Sequence, residues 1–336
     1  MQLTEIEKTE FRAFVVEERD DRYSGELQRR RVADLPSGDL LVRVFYSSLN
    51  YKDALSASGN RGVTKAYPHT PGIDAVGMVE KSGSNDFLEG DPVIVTGFDL
   101  GMNTPGGFGQ YIRVPSRWAL RLPDGLSMQE AMAFGTAGLT AALSVLRLTE
   151  TLKPEDGRIA VSGATGGVGA LAVAMLSKLG YCVSAISGKE QERDFLLNLG
   201  AAEVLPRKDF QDEERRPLHK GVFAGAVDTV GGTILVNLLK SMQPMGVVTC
   251  CGNVASPELH LTVYPFILRG VSLIGIDSQN CPIALRKNVW CKLAGEWKPD
   301  CLMNLSKEIS MSDLPDSIER MLQGKLKGRT VVNLNA

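Results

Sequence analysis

Across the first 125 residues the apolar positions fall in short runs broken by Gly and Pro, at 11–16, 40–46, 74–80, 91–95 and 109–114. Runs of that length between turn residues predict strands, and several in succession predict an all-β barrel. From about residue 128 to 282 the pattern changes, and apolar runs at 159–162, 182–187, 203–205, 224–228, 246–251 and 271–276 alternate with stretches of helical period. Strands separated by helices in this way predict a doubly wound parallel sheet. Beyond 283 come a helical segment, a charged stretch and a last strand candidate that begins at Arg329 and is assigned to the barrel. The predicted fold class is α/β, with a barrel domain at 1–127 and 283–336 and a doubly wound domain at 128–282.

The first strand of the second domain runs into a glycine-rich loop. Residues 158–169 read ArgIleAlaValSerGlyAlaThrGlyGlyValGly, and a helical sequence, AlaLeuAlaValAlaMetLeu, follows. Strand, loop and helix in this order form a pyrophosphate site. Gly163 turns the chain, Gly166 lets the backbone approach the anion, Gly169 lets helix pack on strand, and the N–H groups of the helix start face the charge. Ala164 stands at the first glycine of the GxGxxG pattern, so the loop by itself also fits a tight turn in some other α/β protein.

The next apolar run ends at Ser187-Gly188-Lys189, where a dinucleotide fold reads the adenosine ribose. An NAD site carries Asp or Glu there, which accepts from the 2′-hydroxyl and repels a 2′-phosphate. A hydroxyl, a flexible glycine and an ammonium favour the phosphate instead, which points to NADP(H). Arg207, just after the following strand candidate, brings forked donors to the same phosphate. Lys189 and Arg207 also fit ordinary solvated loop charges, and Glu190 and Glu192 lie close by in sequence.

Composition narrows the class. A chain of 336 residues exceeds what one core usually serves, which agrees with two domains. Apolar residues make up 43% and charged residues 23%, a globular balance, and no eighteen consecutive residues are apolar, so no membrane span is expected. The charged N-terminus lacks the apolar region of a secretory signal, and a cytoplasmic location is expected. A net charge of −2 gives no general attraction to nucleic acid or anionic lipid. The acid–base run at 212–216 reads as a solvated face. The cysteines, at 182, 250, 251, 281, 291 and 301, show no pairing pattern and read as reduced thiols, with Cys250 and Cys251 packed at a strand end. His69, His219 and His260 are far apart in sequence, so no metal site is expected.

Several segments, in order and spacing, carry a resemblance: 47–54 (SerSerLeuAsnTyrLysAspAla), 71–74 (ProGlyIleAsp), 135–141 (GlyThrAlaGlyLeuThrAla), the glycine loop, 205–207 (LeuProArg), 265–270 (ProPheIleLeuArgGly), 275–278 (GlyIleAspSer) and 328–332 (GlyArgThrValVal). Together they resemble the medium-chain dehydrogenase/reductases, in particular the zinc-free acryloyl-CoA reductase branch that also includes quinone oxidoreductases. The resemblance implies a GroES-like catalytic barrel joined to a Rossmann domain. It also implies a loss. Zinc-dependent members carry a catalytic Cys within the segment that here reads SerLeuAsnTyrLysAsp, and GlyHisGlu where this chain has Gly72-Ile73-Asp74, and their four-cysteine lobe has no counterpart before residue 182. Without a Lewis acid, alcohol oxidation gives way to hydride addition onto an acceptor that is already electron-poor.

Site roles follow from the resemblance position by position. Tyr51 is expected near the nicotinamide end, as cofactor contact and catalytic candidate, with a barrel tyrosine of satisfied hydroxyl as the plainer alternative. Thr165, Gly166, Gly167 and Val168 would cradle the pyrophosphate, and Ser187, Gly188, Lys189 and Arg207 would hold the 2′-phosphate. Lys189 stands where the family more often has Arg, which keeps the charge and loses the fork. Asn253, Ile267 and Ser278 are expected at strand ends facing the cofactor, and Arg329 is expected to touch it, with Lys325 and Lys327 adding charge nearby. Asn50 and Asp74 read as structural hydrogen-bonders. The leading function is NADPH-dependent reduction of an activated C=C bond, acryloyl-CoA to propanoyl-CoA first, with the thioester oxygen taking the enolate charge. A quinone or enone reductase of broad specificity and an NADPH-binding regulatory protein with little turnover remain as alternatives. A small-molecule substrate and a homodimer are the expected partners.

Overall fold

The computed structural model describes residues 5–211 and 216–336, so the charged run at 212–216 lies, apart from Arg216, outside the described residues. The chain divides into two compact units: residues 1–136, 279–294 and 303–336 form the first, and residues 137–278 and 295–302 the second. The first division falls nine residues beyond the expected 127, inside the helix Met128–Thr149. That helix turns sharply at Gly135 (φ 53°, ψ −154°), a positive-φ conformation that glycine adopts without strain. By length and composition it is apolar enough to cross a bilayer, but 83% of its apolar window is buried in the protein, as in a core helix.

In the first unit, seven strands make one sheet in the order Ser306–Ser310, Arg329–Asn333, Leu40–Ser48, Asp74–Ser82, Pro92–Thr96 and Ala119–Arg121, with Tyr111–Val114 also pairing with Leu40–Ser48. Arg329–Asn333 pairs antiparallel with Leu40–Ser48, so the last strand candidate lies beside barrel strands. Side chains that alternate inward along these strands, among them Leu40, Val42, Val44, Val93, Val95, Ile112 and Val332, form the core with Phe14, Leu100 and Phe108. Glu10–Arg19 and Arg22–Arg31 form a separate hairpin, whose two-residue turn, Asp20 and Asp21, has positive φ at both positions (50° and 59°). The apolar pattern did not predict Arg22–Arg31, Ala119–Arg121 or Ser306–Ser310. The first has no fully buried position and the second spans three residues, so neither shows an apolar period.

The second unit holds six strands in the order Glu203–Pro206, Val183–Ser187, Arg158–Ser162, Phe223–Asp228, Met242–Cys250, Ser272–Gly275, and every neighbouring pair is parallel. Counted along the chain this is 3-2-1-4-5-6, the doubly wound arrangement. Strand order reverses between Arg158–Ser162 and Phe223–Asp228, which opens a crevice beyond their carboxyl ends. Helix Gly167–Lys178 packs on the sheet with Gly169 to Leu176 all buried, which accounts for its uninterrupted apolar sequence.

Candidate functional site

The glycine loop sits at the reversal of strand order in the second unit. Gly163 has φ +59°, and a Cβ there would lie 2.3 Å from Thr229 Oγ1. A Cβ on Gly169 would lie 2.4 Å from the Gly163 carbonyl oxygen, so the helix approaches the strand more closely than any side chain permits. Gly166 precedes helix Gly167–Lys178 in an extended conformation, and a Cβ there would meet only the Gly163 oxygen, at 3.3 Å. The first helical bond runs from Ala170 N to Gly166 O (2.8 Å), so the N–H groups of Gly167, Val168 and Gly169 lie ahead of it, with Thr165 buried beneath. An anion is the natural partner of such a helix start.

Ser187, Gly188, Lys189 and Arg207 come together at the next strand end. Ser187 ends Val183–Ser187 and pairs with Pro206, so Arg207 follows directly alongside it. The Lys189 N–H donates to Ser187 Oγ (3.0 Å), which folds the tip back on itself. Arg207 lies across Gly188 so closely that a Cβ there would be 2.7 Å from the guanidinium carbon. The Ser187 hydroxyl and the Arg207 guanidinium thus meet at this strand tip, with Lys189 next along the chain.

Further along the same edge, Asn253 is exposed after Met242–Cys250, and Ile267, on helix Tyr264–Arg269, is 67% exposed. Ser278 is half-buried and accepts from Thr140 Oγ1 (2.7 Å). The floor of the crevice was not singled out by the sequence pattern. Ser162 Oγ donates to Asp228 Oδ1 (2.7 Å) and accepts from Thr229 N (3.0 Å), Thr229 Oγ1 donates to Ser162 O (2.9 Å), and Gly231 N donates to Asp228 Oδ2 (2.8 Å). Burial raises the Asp228 carboxyl above its ordinary range. A lone acid at the end of the apolar run Phe223–Asp228 was the available signal. Cys251 packs beside it with its thiol on Asp228 O (3.3 Å) and is pushed up to about 12 by burial, so it stays protonated.

In the first unit, Tyr51 opens helix Tyr51–Ala57 and is 41% exposed. Directly beneath it lies a buried polar cluster. Asp74 accepts from Ser48 Oγ (2.6 Å), Asn50 Nδ2 (2.8 Å), Thr136 N (2.9 Å) and Thr136 Oγ1 (2.6 Å). Asp53 accepts from the N–H groups of Asn50 (2.8 Å), Gly72 (3.1 Å) and Ile73 (2.8 Å). Burial first, and the Asp74 charge second, push the Asp53 carboxyl up to about 7 against the pull of these donors. Lys52 lies on the same helix and donates from Nζ to Gln279 Oε1 (2.6 Å).

Arg329, expected to touch the cofactor, belongs to this buried cluster. It is 3% exposed, with Nε donating to Ala133 O (3.0 Å), one terminal nitrogen to Ser48 Oγ (2.8 Å) and the other to Leu49 O (3.4 Å) and Asn50 Oδ1 (3.3 Å). Burial pulls its pKa down while the Asp74 and Asp53 carboxylates oppose the change, so its charge balances theirs. Lys325 and Lys327 are exposed.

The same cluster tests whether zinc fits. Ile73, in the place of a ligating imidazole, is buried hydrocarbon and offers no lone pair. Asn50 has its amide committed to Asp74 and Arg329. The donor set does not suit the metal.

Residues 36–124 match the family model described as an alcohol dehydrogenase GroES-like domain, and residues 167–292 match that of a zinc-binding dehydrogenase. The acrylyl-CoA reductase AcuI of Ruegeria pomeroyi is 40% identical over 331 residues, covering 97% of this chain and 100% of the relative. YhfP of Bacillus subtilis (strain 168), named as a candidate quinone oxidoreductase, is 44% identical over 97% of this chain and 99% of its own. Its crystal structure with NAD bound superposes with a TM-score of 0.94, covering 97% of this chain and 100% of that one. E. coli K-12 YhdH with bound NADPH superposes at 0.93 with 42% identity, covering 96% of this chain and 99% of that one.

Proposed function

The chain belongs to the acryloyl-CoA reductase and quinone oxidoreductase branch of the medium-chain dehydrogenase/reductases, and from that premise we propose that it is an NADPH-dependent, zinc-independent reductase of activated C=C bonds. Acryloyl-CoA is the first candidate acceptor and propanoyl-CoA its product. NADPH, when bound, supplies a hydride to the β-carbon; the enolate charge falls on the thioester oxygen and a proton completes the α-carbon. Thr165, Gly166, Gly167 and Val168 bind the pyrophosphate through the helix start, and Tyr51 orients the nicotinamide. Asn253, Ile267 and Ser278 line the cofactor along the carboxyl edge of the sheet.

The observation that carries this reading is the meeting of Ser187, Gly188 and Arg207 beside Lys189, with no carboxylate where an NAD site places one. The test is oxidation of NADPH, followed by its absorbance, with acryloyl-CoA, crotonyl-CoA and 1,4-benzoquinone side by side, each repeated with NADH. Fastest turnover with acryloyl-CoA and NADPH supports the reading. Quinone turnover alone moves the substrate to the second class, and no turnover with any acceptor removes the reductase. A chelator leaves the rate unchanged, because Asn50 and Ile73 provide no metal ligands; inactivation that zinc reverses would contradict this.

The assembly proposed is a homodimer. Ser272–Gly275 lies at an edge of the six-stranded sheet, and Val263 (61%) and Leu268 (63%) expose apolar surface nearby in sequence. An open strand edge next to apolar side chains favours pairing with a second copy.

A further inference from the structure

The hydrogen bonds around Asn50 do more than fill a buried space. Asn50 immediately precedes Tyr51 and is 8% exposed. Its N–H donates to Asp53 Oδ2 (2.8 Å), its Nδ2 reaches Asp74 Oδ2 (2.8 Å) and Asp53 Oδ2 (3.3 Å), and its Oδ1 accepts from Arg329 (3.3 Å). Asp53 Oδ1 is turned the other way, onto the N–H groups of Gly72 (3.1 Å) and Ile73 (2.8 Å). One carboxylate therefore holds the N-cap residue Asn50 with one oxygen and the adjacent residues Gly72 and Ile73 with the other.

We propose that Asp53 is a positioning residue, which through Asn50 fixes the orientation of Tyr51 for the reaction. The inference rests on the reading of Tyr51 as a cofactor contact. A helix of seven residues does not hold its own geometry, so its cap decides where its first side chain points. A neutral glutamine at this third helical position would close the same capping box without burying charge. Asp53 is fully buried beside a second carboxylate, Asp74, and what that costly arrangement adds is the second tie, to residues 72 and 73.

Asp53→Asn separates the two ties. Its oxygen still accepts from Gly72 and Ile73, while its amide hydrogens meet the donors of Asn50 and release it. We expect Asp53→Asn and Tyr51→Ala each to lower kcat/KM about tenfold, and the double variant to be no worse than the poorer single one, because both act through the same side chain. Additive losses, about a hundredfold in the double variant, would overturn the proposal. The same cycle is measured on the NADPH dissociation constant by fluorescence titration, which needs no turnover. A wild-type protein that binds NADPH without reducing any acceptor overturns the reductase reading alone, and the binding cycle then decides for or against Asp53. A wild-type protein that does not bind NADPH overturns both. Should Asp53→Asn not fold, Asp53→Ser, whose single short hydroxyl cannot span Asn50 and residues 72 and 73 together and so leaves Asn50 without its anchor, enters the same cycle with the same expectation.

Discussion

Gly188 lacks a side chain for a reason that Arg207 supplies: the guanidinium occupies the space where a Cβ would stand. In Gly188→Ala the arginine must move off the tip, and the NADPH dissociation constant is expected to rise about tenfold, with NADH binding unaffected. Arg207→Ala and Lys189→Ala should each weaken NADPH by about 10- to 100-fold, the range for a lost hydrogen bond to a charged group. Calorimetric titration with both nucleotides checks all three, and unchanged NADPH affinity would remove the residues from the 2′-phosphate site. A second residue-scale effect belongs to Asp53. Its carboxyl titrates at about 7 in the folded protein and at about 4 when unfolded, so between those pH values the folded state binds the proton more tightly. Its contribution therefore favours folding at the acid end of that window and is lost as pH rises through it. Melting temperature followed from about pH 4.5 to about pH 7.5, wild type against Asp53→Asn, should show that slope in the wild type and a flatter one in the variant.

At the scale of elements, the glycine loop contains positions with different reasons for being glycine. Gly169 is required by packing, since a Cβ would press on the backbone oxygen of Gly163 at 2.4 Å; Gly166 meets nothing closer than 3.3 Å and has an ordinary backbone. Gly169→Ala should therefore lower stability by about 1–3 kcal/mol, seen as a lower melting temperature. Gly166→Ala should melt near the wild type yet bind NADPH more weakly, because the added methyl occupies the approach to the phosphate. Equal loss of stability in both would mean that Gly166 also serves packing alone. Gly135 shows the same logic without a ligand. Its positive φ, and the approach of Asp74 Oδ2 and Ser48 Oγ to 2.5 Å from where a Cβ would stand, let helix Met128–Thr149 bend around the buried cluster. Its helical neighbours in sequence hid this bend, since a single glycine within an apolar helix is tolerated for many reasons.

For the whole molecule, the open strand Ser272–Gly275 gives a direct expectation: sedimentation should return twice the chain mass of 36.3 kDa, and a single species at 36.3 kDa would remove the dimer. The fold class, the six parallel strands and the glycine turn between strand and helix were legible in the sequence, because apolar period and glycine placement are local and repeat along the chain. The meeting of Ser187 and Arg207 was half legible: the residue types were visible, but their approach depends on the parallel pairing of Ser187 with Pro206. What lay beyond reading was the buried cluster around Arg329, and the hydrogen bonds that join Ser162, Asp228 and Thr229. Near the chain end, Arg329 sits in a segment with exposed lysines, and the fold carries it back beside Leu40–Ser48 and buries it near two carboxylates. Charge next to charge in sequence is a local property. Which charges share a buried space is decided by strand pairings that join residues hundreds of positions apart, and only the tertiary structure contains them.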